Sequence, residues 1–357
     1  MAETSPTPAE QFAKDLASLQ SKVSQLHSQV TFASLRDNLE DLETRVNGLQ
    51  QRIKDLRARN YAFDRNLAAR ASELYRQWTS LRPNVQHEIE RQTNQLAIDL
   101  QHVESQMSRL AQMSGNPTAA RPTLTQATTL VDNLESKTRA AESTIRGLYD
   151  NFQTQANALA QGLERLEWML QQLEEASFQL YPTEAGIMAV KAKWYKSGKP
   201  EKDSPEGVLF LTDQRLILEQ KQEIATKKVL FITTEREKVQ QLLFEVPLSL
   251  IQEITPSKQG LFKNEDRIEF LFASGAALSN AHLHLLGQDC NEWKGLINRA
   301  KSGEFDKDRA IAIDAAAVEK VKSAPTQCPN CSGALNVAVV RGMDSITCPY
   351  CGTVIRI

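Results

Sequence analysis

Apolar residues return every three or four positions from Phe12 to Leu180, with Gln, Glu, Arg, Asn and Ser between them. Leu35, Leu39, Leu42, Val46, Leu49, Ile53 and Leu56 alternate steps of four and three, the a/d seam of a coiled coil. So narrow a stripe predicts a helix that must pair with another helix. An earlier run, Phe12, Leu16, Leu19, Val23, Leu26 and Val30, loses phase with it near Thr31–Ser34. Ser34 and Asp37 have capping-box spacing at that point, so a short helix, a joint and a long helix are expected. Pro83 is expected to interrupt or kink the long helix. The seam resumes at Val85, Ile89, Leu96, Leu100, Val103, Met107 and Leu110.

Ser114-Gly-Asn-Pro117, followed by Pro122, is the strongest breaker in this half. A further stripe runs through Leu134, Ala141, Ile145, Leu148, Phe152, Leu159, Leu163, Leu166, Leu170 and Leu173. Two successive steps of four, at 148, 152 and 156, mark a stutter. A turn over 114–122 would fold residues 123–180 back on the preceding helix, giving a coiled-coil α-hairpin over 9–181. A dimeric rod is the alternative. Tyr181-Pro182 ends the helical half, and residues 1–8 are expected to be disordered.

From Glu184 the pattern becomes short apolar runs separated by polar or glycine-containing turns. Residues 207–211, a turn at Thr212-Asp213-Gln214, and 215–218 predict a β-hairpin. Further strands are expected at 228–233, 241–246, 251–255, 267–272 and 281–286. Asp289 opens an amphipathic helix that places Trp293, Leu296, Ile297 and Ala300 on one face, with the indole plugging one end of a curved sheet. Residues 303–326, rich in Ala, Lys and Asp, are expected to form a linker with a short helix within Asp306–Val321.

Charge narrows the functional classes. The chain has 42 Lys plus Arg against 44 Asp plus Glu, and neither 1–180, 181–303 nor 304–357 is strongly basic. A nonspecific nucleic-acid binder is therefore disfavoured. The N-terminus has neither a basic start nor an apolar core, so no secretory signal is read there. No window holds 18 uninterrupted apolar residues, so no ordinary membrane-spanning helix is expected. A cytoplasmic protein, with peripheral membrane association as a variant, follows.

EGVLFLTDQRLIL (206–218), FEVPLSLIQEI (244–254) and a Trp-bearing terminal helix (288–301) together resemble the GRAM and bacterial PH-like domains. The resemblance covers about a third of the chain and implies a curved β-sheet with a capping helix over 182–302. Several relatives bind phosphoinositides or other proteins. Residues 219–238 depart from the family pattern by adding a long charged hairpin. Arg215 resembles an arginine common in that pattern and is expected to tie its turn together.

Four of the five cysteines lie in the last 30 residues, as Cys328-Pro-Asn-Cys331 and Cys348-Pro-Tyr-Cys351. In a chain without an export signal this spacing points to metal, not disulfides. Four thiolates saturate a tetrahedral Zn²⁺ and leave no position for water. Residues 334–340 and 345–347 can pair, with 353–357 as a third strand. Residues 327–357 thus resemble a zinc ribbon of transcription-factor or rubredoxin-like type. So short a module cannot bury enough apolar surface to fold unaided. Structural zinc supplies on the order of 10–16 kcal/mol.

Sharper sites are weighed against ordinary ones. Lys191, Lys193, Lys196, Lys199 and Lys202 could gather on a lipid phosphate, but Glu201, Asp203 and Glu206 among them favour a solvated mixed-charge loop. Arg341 and Arg356 are the ribbon's only basic residues, too few for strong phosphate binding; a knob for protein contacts is favoured. His282 and His284 share a strand face without ligand-spaced partners, and Cys290 reads as an ordinary thiol at a helix start. Trp78 and Trp168 read as seam or flank residues. P-loop, dinucleotide-binding, zincin and nucleophile-elbow motifs are missing, so no enzyme is expected. The chain reads as a multidomain α + β protein: coiled-coil hairpin or rod, PH/GRAM-like domain and zinc ribbon. A scaffold or adaptor with protein partners is expected. Homo-oligomerisation through the rod, recruitment to anionic membrane and a nucleic-acid or transcription accessory role are the alternatives.

Overall fold

The computed structural model describes residues 7–357 except 114, 202, 230, 231, 263, 314 and 336, and except the side chains of 224–236, 315, 317 and 322. Lys202 therefore lies outside the described residues. Two compact units result, Met1–Gln50 with Ala69–Ala160 and Gln51–Ala68 with Gln161–Ile357.

The helical half contains α1 (Pro8–Val30), α2 (Ala33–Ala58), α3 (Leu67–Gln112) and α4 (Pro117–Glu174). Thr7 caps α1 through a capping box with Glu10, and Pro8 occupies the first turn, where its missing N–H costs nothing. All seven seam residues from Leu35 to Leu56 are buried. In the first unit, Lys22 of α1 pairs with Asp132 of α4 at 2.9 Å, and Arg45 of α2 bonds Asn157 of α4, sequence offsets of 110 and 112. So steady an offset means that α1 and α2 run in turn alongside α4, in the same direction. Helix α3 runs the opposite way, since Glu43 meets Arg82, His27 meets Glu104 and Asp99 meets Lys137.

The expected fold-back of α4 on α3 is present, and the two-helix hairpin is corrected to a three-stranded bundle because α1 and α2 together add a further strand to it. The reversal that makes the third strand lies at residues 59–66, where Asn60 and Asp64 take positive φ (63° and 57°) and Tyr61, Ala62 and Phe63 are buried. Asn and Asp adopt that left-handed region more readily than other non-glycine residues. Pro83 does not break α3, which continues through it. Helix α4 begins at Pro117, with Pro122 already inside it. In α4 Leu148 is 44% exposed and Tyr149 takes the seam position instead, at 1%. Trp78 stacks on Phe152 at 5.3 Å within the bundle core, whereas Trp168 is half-buried.

The sheet of the second unit contains β1 (Gly186–Trp194), β2 (Glu206–Thr212), β3 (Arg215–Val229), β4 (Ile232–Pro247), β5 (Ile251–Gln259), β6 (Glu265–Phe272) and β7 (Asn280–Leu286). All pairings are antiparallel, in the order β4-β3-β2-β1-β7-β6-β5. The sheet curls on itself: Phe244 of β4 meets Phe272 of β6 at 6.4 Å, although four strands separate β4 from β6 in the sheet order. Register shifts at Gly186/Met188, Leu218/Glu219 and Ile251/Glu253 are the local irregularities that let strands bend. Helix α5 (Cys290–Lys301) is capped by Asp289, which accepts from the N–H groups of Asn291 and Glu292, and buries Cys290, Trp293, Ile297 and Ala300. Trp293 is fully buried, and its indole N–H donates to Gln288 at 2.7 Å.

Two expectations for this region are corrected. The strand expected at 228–233 is not a separate one: Lys228 and Val229 end β3, Ile232 and Thr233 begin β4, and 230 and 231 lie outside the described residues. Residues 304–311 are not a free linker. Helix α6 (Glu304–Lys307) buries Phe305 against Phe63 at 5.5 Å, the Ala310 N–H donates to the Ala62 carbonyl at 2.7 Å, and Arg309 lies over the Phe63 ring at 4.9 Å. The expected short helix is α7 (Ala315–Lys322). In the tail, β8 (Ser345–Thr347) pairs with β9 (Val354–Arg356). Among the described residues of 334–340 no strand forms, and Ala334 contributes an isolated bridge to Gln327.

Candidate metal centre and its seat

The two Cys-x-x-Cys segments fold as near copies of one turn. The Cys328 N–H donates to the Gly333 carbonyl at 2.9 Å, and the Cys348 N–H to the Thr353 carbonyl at 2.9 Å. The Ser332 N–H returns to the Cys328 carbonyl at 2.8 Å, and the Gly352 N–H to the Cys348 carbonyl at 3.0 Å. The residue four after each leading cysteine has positive φ, Ser332 at 57° and Gly352 at 72°. That conformation suits glycine, and Ser332 adopts it with a Cβ in place. Cys328 and Cys348 are buried with Leu335, Ile346 and Ile355, while Cys331 and Cys351 are exposed.

All four sulfurs lie within 4.8 Å of one another. The Sγ atoms of Cys328 and Cys351 are 3.7 Å apart, and those of Cys331 and Cys348 are 3.6 Å apart. Sulfurs bonded to a tetrahedral zinc at about 2.3 Å sit about 3.8 Å from each other, so the cluster has the size of that coordination shell. Bare thiols this close cannot all ionise. The Thr353 hydroxyl and N–H draw the Cys351 thiol down to about 5. The Gly333 N–H favours a thiolate at Cys331, but three neighbouring sulfurs outweigh it and push that thiol up to about 12. A divalent cation would relieve the competition. The site can hold a metal ion, and its all-sulfur donor set fits zinc.

The cysteine-bearing tail and the sheet meet inside the second unit at the β2–β3 turn, where each of four consecutive side chains is engaged. Thr212 Oγ1 accepts from the N–H groups of Gln214 and Arg215 and donates to Glu184 at 2.6 Å. Asp213 accepts from the Ala185 N–H at 2.9 Å, from Arg309 at 2.7 Å and from Arg341. Gln214 Nε2 donates to the Arg341 carbonyl at 3.0 Å. Arg215 holds Glu184 at 2.6 Å, Glu245 and the Gln179 carbonyl, and its guanidinium lies 4.1 Å from the Tyr181 ring centre. Burial pushes the Asp213 carboxyl up, against the pull of the Ala185 N–H, Arg341 and Arg309. Arg215 thus ties the turn together. Asp213 and the ribbon-facing use of the turn were not read from sequence, because the partners lie about a hundred residues away.

Arg341, weighed above as a nucleic-acid contact and disfavoured, pairs with Asp213 and, at 3.4 Å, with Asp306; Arg356 stands on the short strand β9. Among the described residues, the lysines do not converge. Lys193 pairs with Glu206 at 3.1 Å and Lys196 lies 5.1 Å above the Trp194 ring. Lys191 lines a trough with Glu164, Asp289 and Glu292, carboxylates that compete with phosphate, and Lys199 is exposed. His284 meets the Tyr195 hydroxyl at 3.2 Å, and His282 lies 3.5 Å from Glu269. Cys290 is buried and its thiol is pushed up by burial. Asp266 and Asp289 beside it already share Lys258, at 2.5 and 2.7 Å.

A curled seven-stranded antiparallel sheet closed by a C-terminal helix is the arrangement that the PH/GRAM resemblance implies, and it carries beside it a cluster of four cysteines. No family model and no curated protein sequence matches the chain. Among solved structures it is similar to the Vps36 N-terminal PH domain, at 17% identity over 35% of this chain and 84% of that one, with a TM-score of 0.24. It is also similar to a mutant of the DH/PH domains of p115-RhoGEF, at 11% identity over 83% of this chain and 98% of that one, with a TM-score of 0.20. What the fold itself gives is a mixed α + β arrangement, a seven-stranded antiparallel sheet with a helix following its last strand. Among the described residues, no helix is long and apolar enough to cross a membrane.

Proposed function

We propose that the chain is a cytoplasmic zinc-binding adaptor without catalytic activity, presenting protein-docking surfaces on a helical bundle, a PH/GRAM-like domain and a zinc ribbon. The observation that carries this is the sulfur cluster, whose spacing matches a closed ZnS₄ shell with no open position for chemistry. The commitment of Arg341 to carboxylates favours protein contacts over nucleic acid. Metal analysis of freshly purified protein is expected to find one zinc per chain, lost in Cys328→Ser. Affinity purification with that variant, and with the bundle deleted, is expected to lose different partners. Metal-free native protein, or turnover abolished by a single substitution outside the tail, would sink the proposal.

A second function, recruitment to anionic membrane, is favoured by the exposure of Lys191, Lys196 and Lys199. Co-sedimentation with phosphatidylserine vesicles that is lost in Lys191→Glu/Lys193→Glu would support it; equal binding by that variant would remove it.

A further inference from the structure

We infer that the Arg341-Gly342 turn is a metal-dependent latch: zinc at the four cysteines keeps the turn seated on Thr212–Arg215, and loss of the ion releases it. This rests on the zinc site proposed above and adds to it a consequence for the PH-like domain. The turn lies between the two knuckles, in a stretch with no strand from 337 to 344. What shapes it is the ribbon itself: the Met343 N–H reaches the Val340 carbonyl at 3.3 Å, and the Ile357 N–H reaches the Asp344 carbonyl at 2.9 Å. Behind these bonds stand five buried residues, two of them cysteines of the cluster. A core that small depends on its metal, so the turn's conformation depends on the metal as well.

The seat is built to hold that one conformation. Gly342 has φ 85° and packs so closely that a Cβ would stand 2.8 Å from Tyr181 Cβ and 2.9 Å from Pro182 Cδ. The Arg341 side chain is 13% exposed and Asp213 3%, so solvent and salt screen their pairing little. Arg309 also holds Asp213, so the sheet side keeps a counter-charge when the ribbon leaves. Release would uncover the Asp213 side chain and Gln214, both buried beneath the turn, and more of the half-buried Tyr181. Coupling between two sites is reciprocal, so the seat must also tighten the hold on zinc.

The test uses the full chain. Hydrogen exchange is followed at 179–185 and 212–215 before and after zinc removal by a chelator, and zinc affinity is measured by competition with a chromogenic chelator. Exchange at both segments is expected to rise on chelation and to fall back when zinc alone is returned. Arg341→Met and Asp213→Asn are each expected to weaken zinc retention on the order of tenfold, the double variant no further. Arg356→Ala, in the ribbon but away from the seat, is expected to match the native protein. Zinc bound with unchanged exchange at 212–215, or affinities unaltered in both seat variants, overturns the latch alone. Native protein that binds no zinc overturns the latch and the metal site together.

Discussion

Single side chains carry more of this fold than their number suggests. Arg215 and Glu184 are both buried, and the pair is satisfied on every side by Thr212, Glu245, the Gln179 carbonyl and Tyr181. Removing one partner of a buried pair strands the other without compensation. Arg215→Ala is expected to cost about 3–5 kcal/mol by denaturant titration, more than any exposed arginine in the chain. The knuckles offer a finer comparison. Ser332 holds a left-handed conformation that costs a residue with a Cβ about 1–2 kcal/mol, and Gly352 holds the same one without that cost. Ser332→Gly should leave zinc retention equal or better, and Gly352→Ala should weaken it. Asp289 has a pH signature. Lys258, with the N–H groups of Glu292 and Asn291, holds its carboxyl at about 2, below the usual range near 4. A depressed carboxyl stabilises fully above the unfolded value and loses that contribution as the pH falls through the folded one. Asp289 is the N-cap of α5, so Asp289→Ala should cost about 1 kcal/mol at pH 7. The gap to the native protein should close between pH 4 and 2, read by Trp293 fluorescence.

Among the elements, α4 shows how a seam is decided. Its spacing makes Leu148 a natural seam position, yet packing selects Tyr149 next to it and leaves Leu148 exposed. The buried seam steps 141, 145, 149, 152, 156, 160 contain two pairs of successive fours, so the stripe drifts around the helix by more than a strict heptad allows. Leu148→Glu is expected within about 0.5 kcal/mol of the native protein. Tyr149→Ala is expected to cost about 3 kcal/mol, as for other large aromatic truncations. Tyr149→Phe should be neutral or stabilising, because the buried hydroxyl has no hydrogen-bond partner. Thermal melts of the three variants check this order. The reversal at 59–66 was hidden for a related reason: it contains no Gly or Pro, and only Asn60 and Asp64 mark it. Pro83 misled in the other direction. Helix α3 runs from Leu67 to Gln112 with the proline inside it.

For the molecule as a whole, the tail is no appendage. Cysteine spacing alone located the four-cysteine cluster, but the docking of its segment on the β2–β3 turn depends on Asp213, Asp306, Arg309 and Arg341, four residues scattered across three sequence regions. The same contacts turn the expected 303–326 linker into packed structure over 304–311. Chelation is expected to abolish the ribbon's protection from proteolysis at 327–357 while the helical circular dichroism signal persists, since the seam of α1–α4 needs no metal. Loss of the helical signal on chelation would contradict that separation.

Periodicity and spacing alone determined the helical character of α1–α4, most of the strands of 186–286, the capping helix at Asp289 and the four-cysteine cluster. These are local signals: a 3.5-residue repeat, alternation between turns, and thiols two residues apart all act within a few positions. Tertiary structure alone decided that the seam closes as three strands in one chain, that Tyr149 and not Leu148 enters it, and that Arg341 faces carboxylates instead of phosphate. Each of those depends on partners tens to more than a hundred residues away, and a charge or an apolar side chain does not carry in its own neighbourhood the identity of what will cover it.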